Sequence, residues 1–206
     1  MIKLVRLRLD LLRHGETTLG HTLRGWLDDE LTEQGWLQMQ ATVQENLNHP
    51  EKNWDLIISS SLQRCRLFAE QLAHDLQRPL LINEQIQEMN FGDWEGISTQ
   101  TIYETSPELL ANFWQFPTQY HAPNGESLAE FHQRVLNGFQ QIAEYMQQHQ
   151  YQSALVVTHG GVIKLLSCLA QQQRLDDLLK MSAELGQLHS FRLSHQPAQL
   201  AFERVE

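Results

Sequence analysis

The chain has 206 residues, 41% hydrophobic and 19% charged, with a formal net charge of −10. That length suffices for a full core in a single domain spanning 1–206, and the composition is that of an ordinary globular protein. The acidic balance argues against a nucleic-acid or membrane-surface partner, because both need a basic face. Cys65 and Cys168 are too few for a disulfide framework and fit a reducing cytosol. The first ten residues are interrupted by Lys3, Arg6, Arg8 and Asp10, so they lack the uncharged core of a signal peptide. No apolar run approaches the length of a transmembrane helix. A cytoplasmic location is therefore expected.

In chain order, Leu4 to Leu12 alternates leucines with charges and then becomes fully apolar, as a strand entering a sheet centre does. Thr32 is a good N-cap for a helix to about Asn48. Leu56–Ser59 reads as a short buried strand. Ser61 is expected to cap a helix running to Leu76, and Leu80–Ile82 follows Pro79 as another strand. Residues 83–125 are less regular and rich in aromatics and prolines. They read as a mostly helical insertion over the C-terminal strand edge, serving as a lid or substrate wall. Ser127 then caps a long helix to about Gln148. Ala154–Thr158 is a buried strand, followed by a helix from Gly160 to about Leu169. Strands near Leu188–Leu193 and Leu200–Arg204 close the chain. This order predicts a three-layer α/β/α sandwich on a mostly parallel sheet.

Three strand ends carry the chemistry. Arg13-His14-Gly15 follows the first strand, His159-Gly160 follows the fourth, and Ser59-Ser60-Ser61 with Arg64 follows the second. Ligands of open α/β sheets bind outside the carboxyl ends of the strands. Arginine forks suit phosphate oxygens, and a neutral imidazole can attack phosphorus to give a phosphohistidine. Nearby arginines would keep His14 neutral, and Gly15 would let backbone amides approach the anion. His159 would be a further donor, and Glu88 is the carboxyl best placed to protonate the leaving alkoxide. Each element alone has a plain reading: Thr158-His159-Gly160-Gly161 as a turn, Arg64 as a solvated helix charge, Glu88 as a surface acid. Their co-occurrence at strand ends is what points to a site. Cys168 and Arg174 share the spacing of cysteine-dependent phosphatases, but the intervening residues contain no glycine and read as helix. No metal-ligand motif or nucleotide-binding glycine loop is present, so neither metal nor cofactor is implied.

These stretches, together with Leu31-Thr32-Glu33-Gln34-Gly35, Gly92-Asp93-Trp94-Glu95-Gly96 and Pro123-Asn124-Gly125-Glu126-Ser127, give the chain its likeness over almost its whole length. It resembles the histidine phosphatase, or phosphoglycerate-mutase-like, superfamily. The resemblance implies a metal-independent phosphomonoesterase with His14 as nucleophile and Glu88 as proton donor. Arg13, Arg64 and His159 would form the phosphate pocket, with Thr17, Arg24 and Gly160 also contacting the substrate. Gly92 to Gly96 is similar to the phosphatase branch. Asp10 to Thr17 with Leu23-Arg24-Gly25 is similar to bacterial α-ribazole phosphatases of cobalamin assembly. The implied substrate is then α-ribazole 5′-phosphate, with a broad-specificity sugar-phosphate phosphatase as the alternative. A phosphoglycerate mutase and a non-catalytic binding module are the remaining classes. The expected partner is a small-molecule phosphate ester, and a homodimer is left open. Two departures stand out: Gly20 where many members carry asparagine, and Cys65 where alanine is common. Phe91, Trp94 and Trp114 are expected, with Arg24, to wall the pocket.

Overall fold

The computed structural model describes residues 5–49, 53–196 and 199–205. Six strands form one sheet: β1 (Val5–Arg13), β2 (Leu56–Ser59), β3 (Leu80–Ile82), β4 (Ser153–Thr158), β5 (Leu188–Gln196) and β6 (Gln199–Val205). Their spatial order is β3-β2-β4-β1-β5-β6. β1, β4, β2 and β3 run parallel, and β5 and β6 are antiparallel additions. The expected mostly parallel sheet is therefore observed. Leu4, the expected first strand residue, lies outside the described residues.

Side chains alternate across the sheet and divide the core in two. Leu7, Leu9, Leu11, Ile58 and Val156 face α5 (Leu128–Gln148) and α6 (Gly160–Ala170). Leu12, Ile57, Leu155 and Val157 face α1 (Glu33–Leu47) and α2 (Gln63–Leu76). α5 presents Leu128, Phe131, Val135, Phe139, Ile142 and Met146 at three- and four-residue spacing, all buried. Burial of these faces, at about 1.5–3 kcal/mol per large apolar side chain, holds the three layers together.

Two of the three helix caps expected from the sequence form, and the third does not. Thr32 Oγ1 accepts from the Gly35 amide, and Ser127 with Glu130 forms a reciprocal capping box. Ser61 does not cap α2, whose N-cap is Leu62. The Ser61 hydroxyl is engaged by Gln87 Nε2 at 2.7 Å, and the Gln63 amide is capped instead by Asp28 Oδ1 at 2.7 Å. A carboxylate 35 residues away has replaced the local hydroxyl.

The segment 83–125 is less helical than expected. It contains two single 3-10 turns, Glu84–Ile86 and Gly92–Trp94, and two short helices, α3 (Thr99–Thr105) and α4 (Pro107–Gln115). A further 3-10 helix, Leu175–Lys180, was not anticipated and packs against α6.

Candidate active site

Parallel register brings the site together. Arg13 on β1 pairs with Thr158 on β4, and Ser59 on β2 pairs with Val157. The next residues, His14, His159 and Ser60, therefore leave the sheet side by side. The His14 amide donates to Thr158 O and the Ser60 amide to Val157 O, each at 3.0 Å. The His14 and His159 rings meet edge to face with centroids 5.4 Å apart.

His14 is buried, and its Nδ1 lies 2.8 Å from the Gly15 carbonyl. A carbonyl only accepts, so Nδ1 carries the proton and Nε2 keeps its lone pair. Burial, reinforced by Arg64 and Arg13, holds His14 well below the usual imidazole range, as a neutral ring at pH 7. His159 is likewise neutral, through burial and then Arg64, His14 and Arg13. Its Nε2 is 2.7 Å from Ser60 Oγ.

The arginines are ordered by acceptors of the fold. Arg64 is wholly buried rather than solvated: Nη1 donates to Leu27 O at 2.8 Å and to Asp29 Oδ1 at 3.1 Å, and Nη2 to Gly25 O at 2.7 Å. Arg13 Nη1 donates to Ala183 O at 2.5 Å. Arg24 Nη1 donates to Thr17 Oγ1, and Arg24 Nε stands 3.8 Å from Asp29 Oδ2. The Nε groups of Arg13, Arg24 and Arg64 are all buried without a hydrogen-bond partner. An anion accepting from them would remove that desolvation cost.

Arg13, His14, Arg24, Glu88 and Gly160 line one cavity of about 570 Å³. Arg64 and His159 are fully buried and do not line it, although the His159 ring meets that of His14. Thr17 does not line it; the Thr17 hydroxyl holds Arg24 instead. Gly15 is needed for a different reason from the one expected. A Cβ there would meet Gly35 O at 2.0 Å, so the glycine admits the first turn of α1. Gly20 is exposed with φ +59°, does not line the cavity, and holds a conformation that asparagine also tolerates.

Glu88 lines the cavity, with Oε1 accepting from the Met89 amide at 3.0 Å and Oε2 from the Gly161 amide at 2.9 Å. A side chain at Gly161 would place its Cβ 2.1 Å from Glu88 Oε1. The remaining wall is apolar, including Leu23, Phe91, Phe113, Trp114, Phe131 and Leu178, with Lys164 and Lys180 among it. Trp94 is not part of that wall. It is buried and packs edge to face on Phe113 at 5.7 Å.

Several site residues were not singled out from sequence. Asp29 is the shared counter-ion of Arg64 and Arg24. Glu95 accepts from the amides of Gly25, Trp26, Leu27 and Phe91, which ties the Arg24 loop to the insertion. Lys164 stands one helical turn after Gly160, and burial lowers its ammonium from the usual range. The 160/164 spacing on α6 was a usable signal for Lys164, and Glu95 stands in the Gly92–Gly96 stretch that carries the resemblance; Asp29 offered none.

The two cysteines are quiet. Cys65 Sγ lies 3.5 Å from Thr158 O and 3.7 Å from His159 Nε2, and burial pushes its thiol up. Cys168 Sγ contacts Arg174 O at 3.2 Å near the end of α6, so no phosphate loop forms there. Among the described residues, no group of three or more histidine, cysteine or acidic side chains is gathered as metal ligands would be. Nor is any helix among them long and apolar enough to cross a membrane.

The model of the histidine phosphatase superfamily (branch 1) matches residues 9–204. The chain belongs to this superfamily. This histidine phosphatase is 35% identical over 167 residues to the adenosylcobalamin/α-ribazole phosphatase of Escherichia coli K12, covering 78% of this chain and 77% of that one. It is 30% identical over 170 residues to phosphoserine phosphatase 1 of Hydrogenobacter thermophilus, covering 82% and 75%. The crystal structure of α-ribazole phosphatase from Shigella flexneri superimposes with a TM-score of 0.77 at 27% identity, covering 97% of this chain and 96% of that one. The chain is thus a phosphatase enzyme with the phosphoglycerate-mutase-like fold.

Proposed function

We propose that this histidine phosphatase hydrolyses phosphomonoesters through a phosphohistidine on His14. The observation that carries this reading is the neutral His14, with its Nε2 lone pair left free by the Gly15 contact and unpartnered guanidinium N–H groups around it. His14 Nε2 forms a bond to phosphorus as the phosphorus–oxygen bond to the alcohol breaks. Arg13, Arg24, Arg64 and His159 stabilise the charge on the equatorial oxygens. The Glu88 carboxyl gives its proton to the leaving alkoxide. The resulting carboxylate then takes a proton from water as that water attacks phosphorus, which releases phosphate and returns His14 to its neutral form.

The substrate is proposed to be α-ribazole 5′-phosphate, as in the 35% identical relative. The apolar wall of Phe91, Phe113, Trp114 and Phe131 supports a planar, weakly polar alcohol, since aromatic faces reward stacking. The second reading is a broad-specificity sugar-phosphate phosphatase, favoured by Lys164 and Lys180, which offer donors to hydroxyls on the same wall. A panel of phosphomonoesters separates the two. The first predicts kcat/KM for α-ribazole 5′-phosphate at least about tenfold above that for 3-phosphoglycerate, about 1.4 kcal/mol of transition-state discrimination. A flat panel would eliminate the cobalamin role and leave the sugar-phosphate reading.

A further inference from the structure

Arg134 lies on α5, outside the residues that line the cavity, yet it is organised around Glu88. Its Nη1 donates to Gln85 O at 2.8 Å and to Gln87 O at 3.1 Å, and its Nη2 donates to Glu88 O at 3.1 Å. These acceptors come from the irregular turn that opens the 83–125 segment, which has no ladder of its own to fix it. The other edge of the guanidinium makes a two-pronged pair with Glu126, Nε to Oε1 and Nη2 to Oε2, each at 2.8 Å. Glu126 Oε2 also accepts from the Asn90 amide at 3.2 Å, just beyond Glu88. Trp26 Nε1 donates to Glu88 O at 3.0 Å, and the guanidinium lies 5.2 Å from the Phe131 ring centroid.

We infer that Arg134 is the positioning residue of the proton donor: with Glu126 it clamps the backbone of 85–90, so that the Glu88 carboxylate stays on the Gly161 amide and faces the reacting ester. This rests on the proposed role of Glu88. Every donor used is a fixed edge of a planar fork, so lysine cannot reproduce the set. Positions 126 and 134 are eight residues apart across the start of α5, and their pairing ties the loop before the helix to the helix itself. A carboxylate that loses this support swings on a longer lever, and misplacement by about 1 Å is enough to cost on the order of a hundredfold in proton transfer.

The test compares Glu88→Gln, Arg134→Met and the double variant Glu126→Gln/Arg134→Met on an alkyl phosphate and on p-nitrophenyl phosphate. The double variant leaves no unpaired carboxylate, which guards against unfolding from a lone buried charge. Arg134→Met and the double variant are expected to lose at least about tenfold in kcat on the alkyl ester and less than about threefold on p-nitrophenyl phosphate, with KM nearly unchanged, the pattern of a missing proton donor. Arg134→Lys should not restore the alkyl activity. Amide exchange at Met89 and Gly161 should quicken in both variants. A split in Glu88→Gln with none in the Arg134 variants, or unchanged exchange at those amides, overturns the clamp alone. Equal losses of Glu88→Gln on both esters would remove the proton-donor reading, and this inference with it.

Discussion

Asp29→Ala removes the counter-ion that Arg64 shares with Arg24. Asp29 is 8% exposed and Arg64 is fully buried, with Oδ1 3.1 Å from Nη1. Removing the carboxylate leaves a guanidinium with two carbonyl acceptors, Leu27 and Gly25, and no bonded counter-ion. Breaking a buried pair from one side costs about 3–5 kcal/mol. The two remaining carbonyls place this case near the lower end, about 3 kcal/mol. For a chain of this size each kcal/mol moves the melting temperature by about 2–4 °C, so a fall of about 6–12 °C is expected. Asp29→Asn keeps the acceptor but loses the charge, and should fall between. The assay is calorimetric melting at pH 7 in phosphate-free buffer, repeated with inorganic phosphate. An anion bound beside Arg64 supplies the lost negative charge, so phosphate should raise the melting temperature of Asp29→Ala by more than that of the wild type. A variant melting within about 2 °C of wild type without phosphate would refute the reasoning, because the pair would then contribute no more than an exposed one.

Other expectations follow from the same geometry. His14→Ala should lower turnover by several orders of magnitude with an unchanged fold, while acid-quenched wild type yields an acid-labile phosphate adduct; full activity in the variant would end the phosphohistidine mechanism. Because burial lowers both His14 and His159 below the unfolded value near 6.5, the folded state binds fewer protons, so their stabilisation is complete above about pH 6.5 and declines as pH falls below it. His189, buried and beside Arg204 with a pKa lowered to about 4, adds to the same decline between about 6.5 and 4. Denaturant titrations across pH 4–8 should show that slope, and His189→Gln should flatten it; a parallel slope in the variant counts against the assignment. Gly161→Ala must displace Glu88, since the new Cβ would lie 2.1 Å from Oε1. It should therefore slow alkyl esters much more than p-nitrophenyl phosphate, and equal effects would mean that Glu88 relaxes without functional loss.

The sheet strands were legible in the sequence because burial on two faces writes itself as continuous apolar runs, as in Leu56–Ser59 and Ala154–Thr158. Helices α1 and α5 were legible because Thr32 and Ser127 are local caps ahead of periodic apolar faces. His14 could be singled out for the same reason, since a polar residue directly after such a strand stands at the sheet edge. The insertion was harder to read. Its aromatics follow neither period, and Trp94 could not be told from Trp114 until one was seen packed on Phe113 and the other on the cavity wall.

What only the tertiary structure decided is which charges meet. Arg64 reads locally as a solvated helix residue, but α2 is capped by Asp28 and turns Arg64 onto Asp29, both reached through a loop with no periodic signal. Asp29, Glu95, Glu126 and Arg134 look like surface charges in the sequence and act as internal braces in the fold. Their partners are mostly backbone amides and carbonyls, which every residue carries and which therefore leave no mark in composition or spacing. The alternation of apolar residues is fixed by the chain itself. The pairing of a carboxylate with an amide 70 residues away, as Glu95 pairs with Gly25, is fixed only when packing has already chosen the loops that face each other.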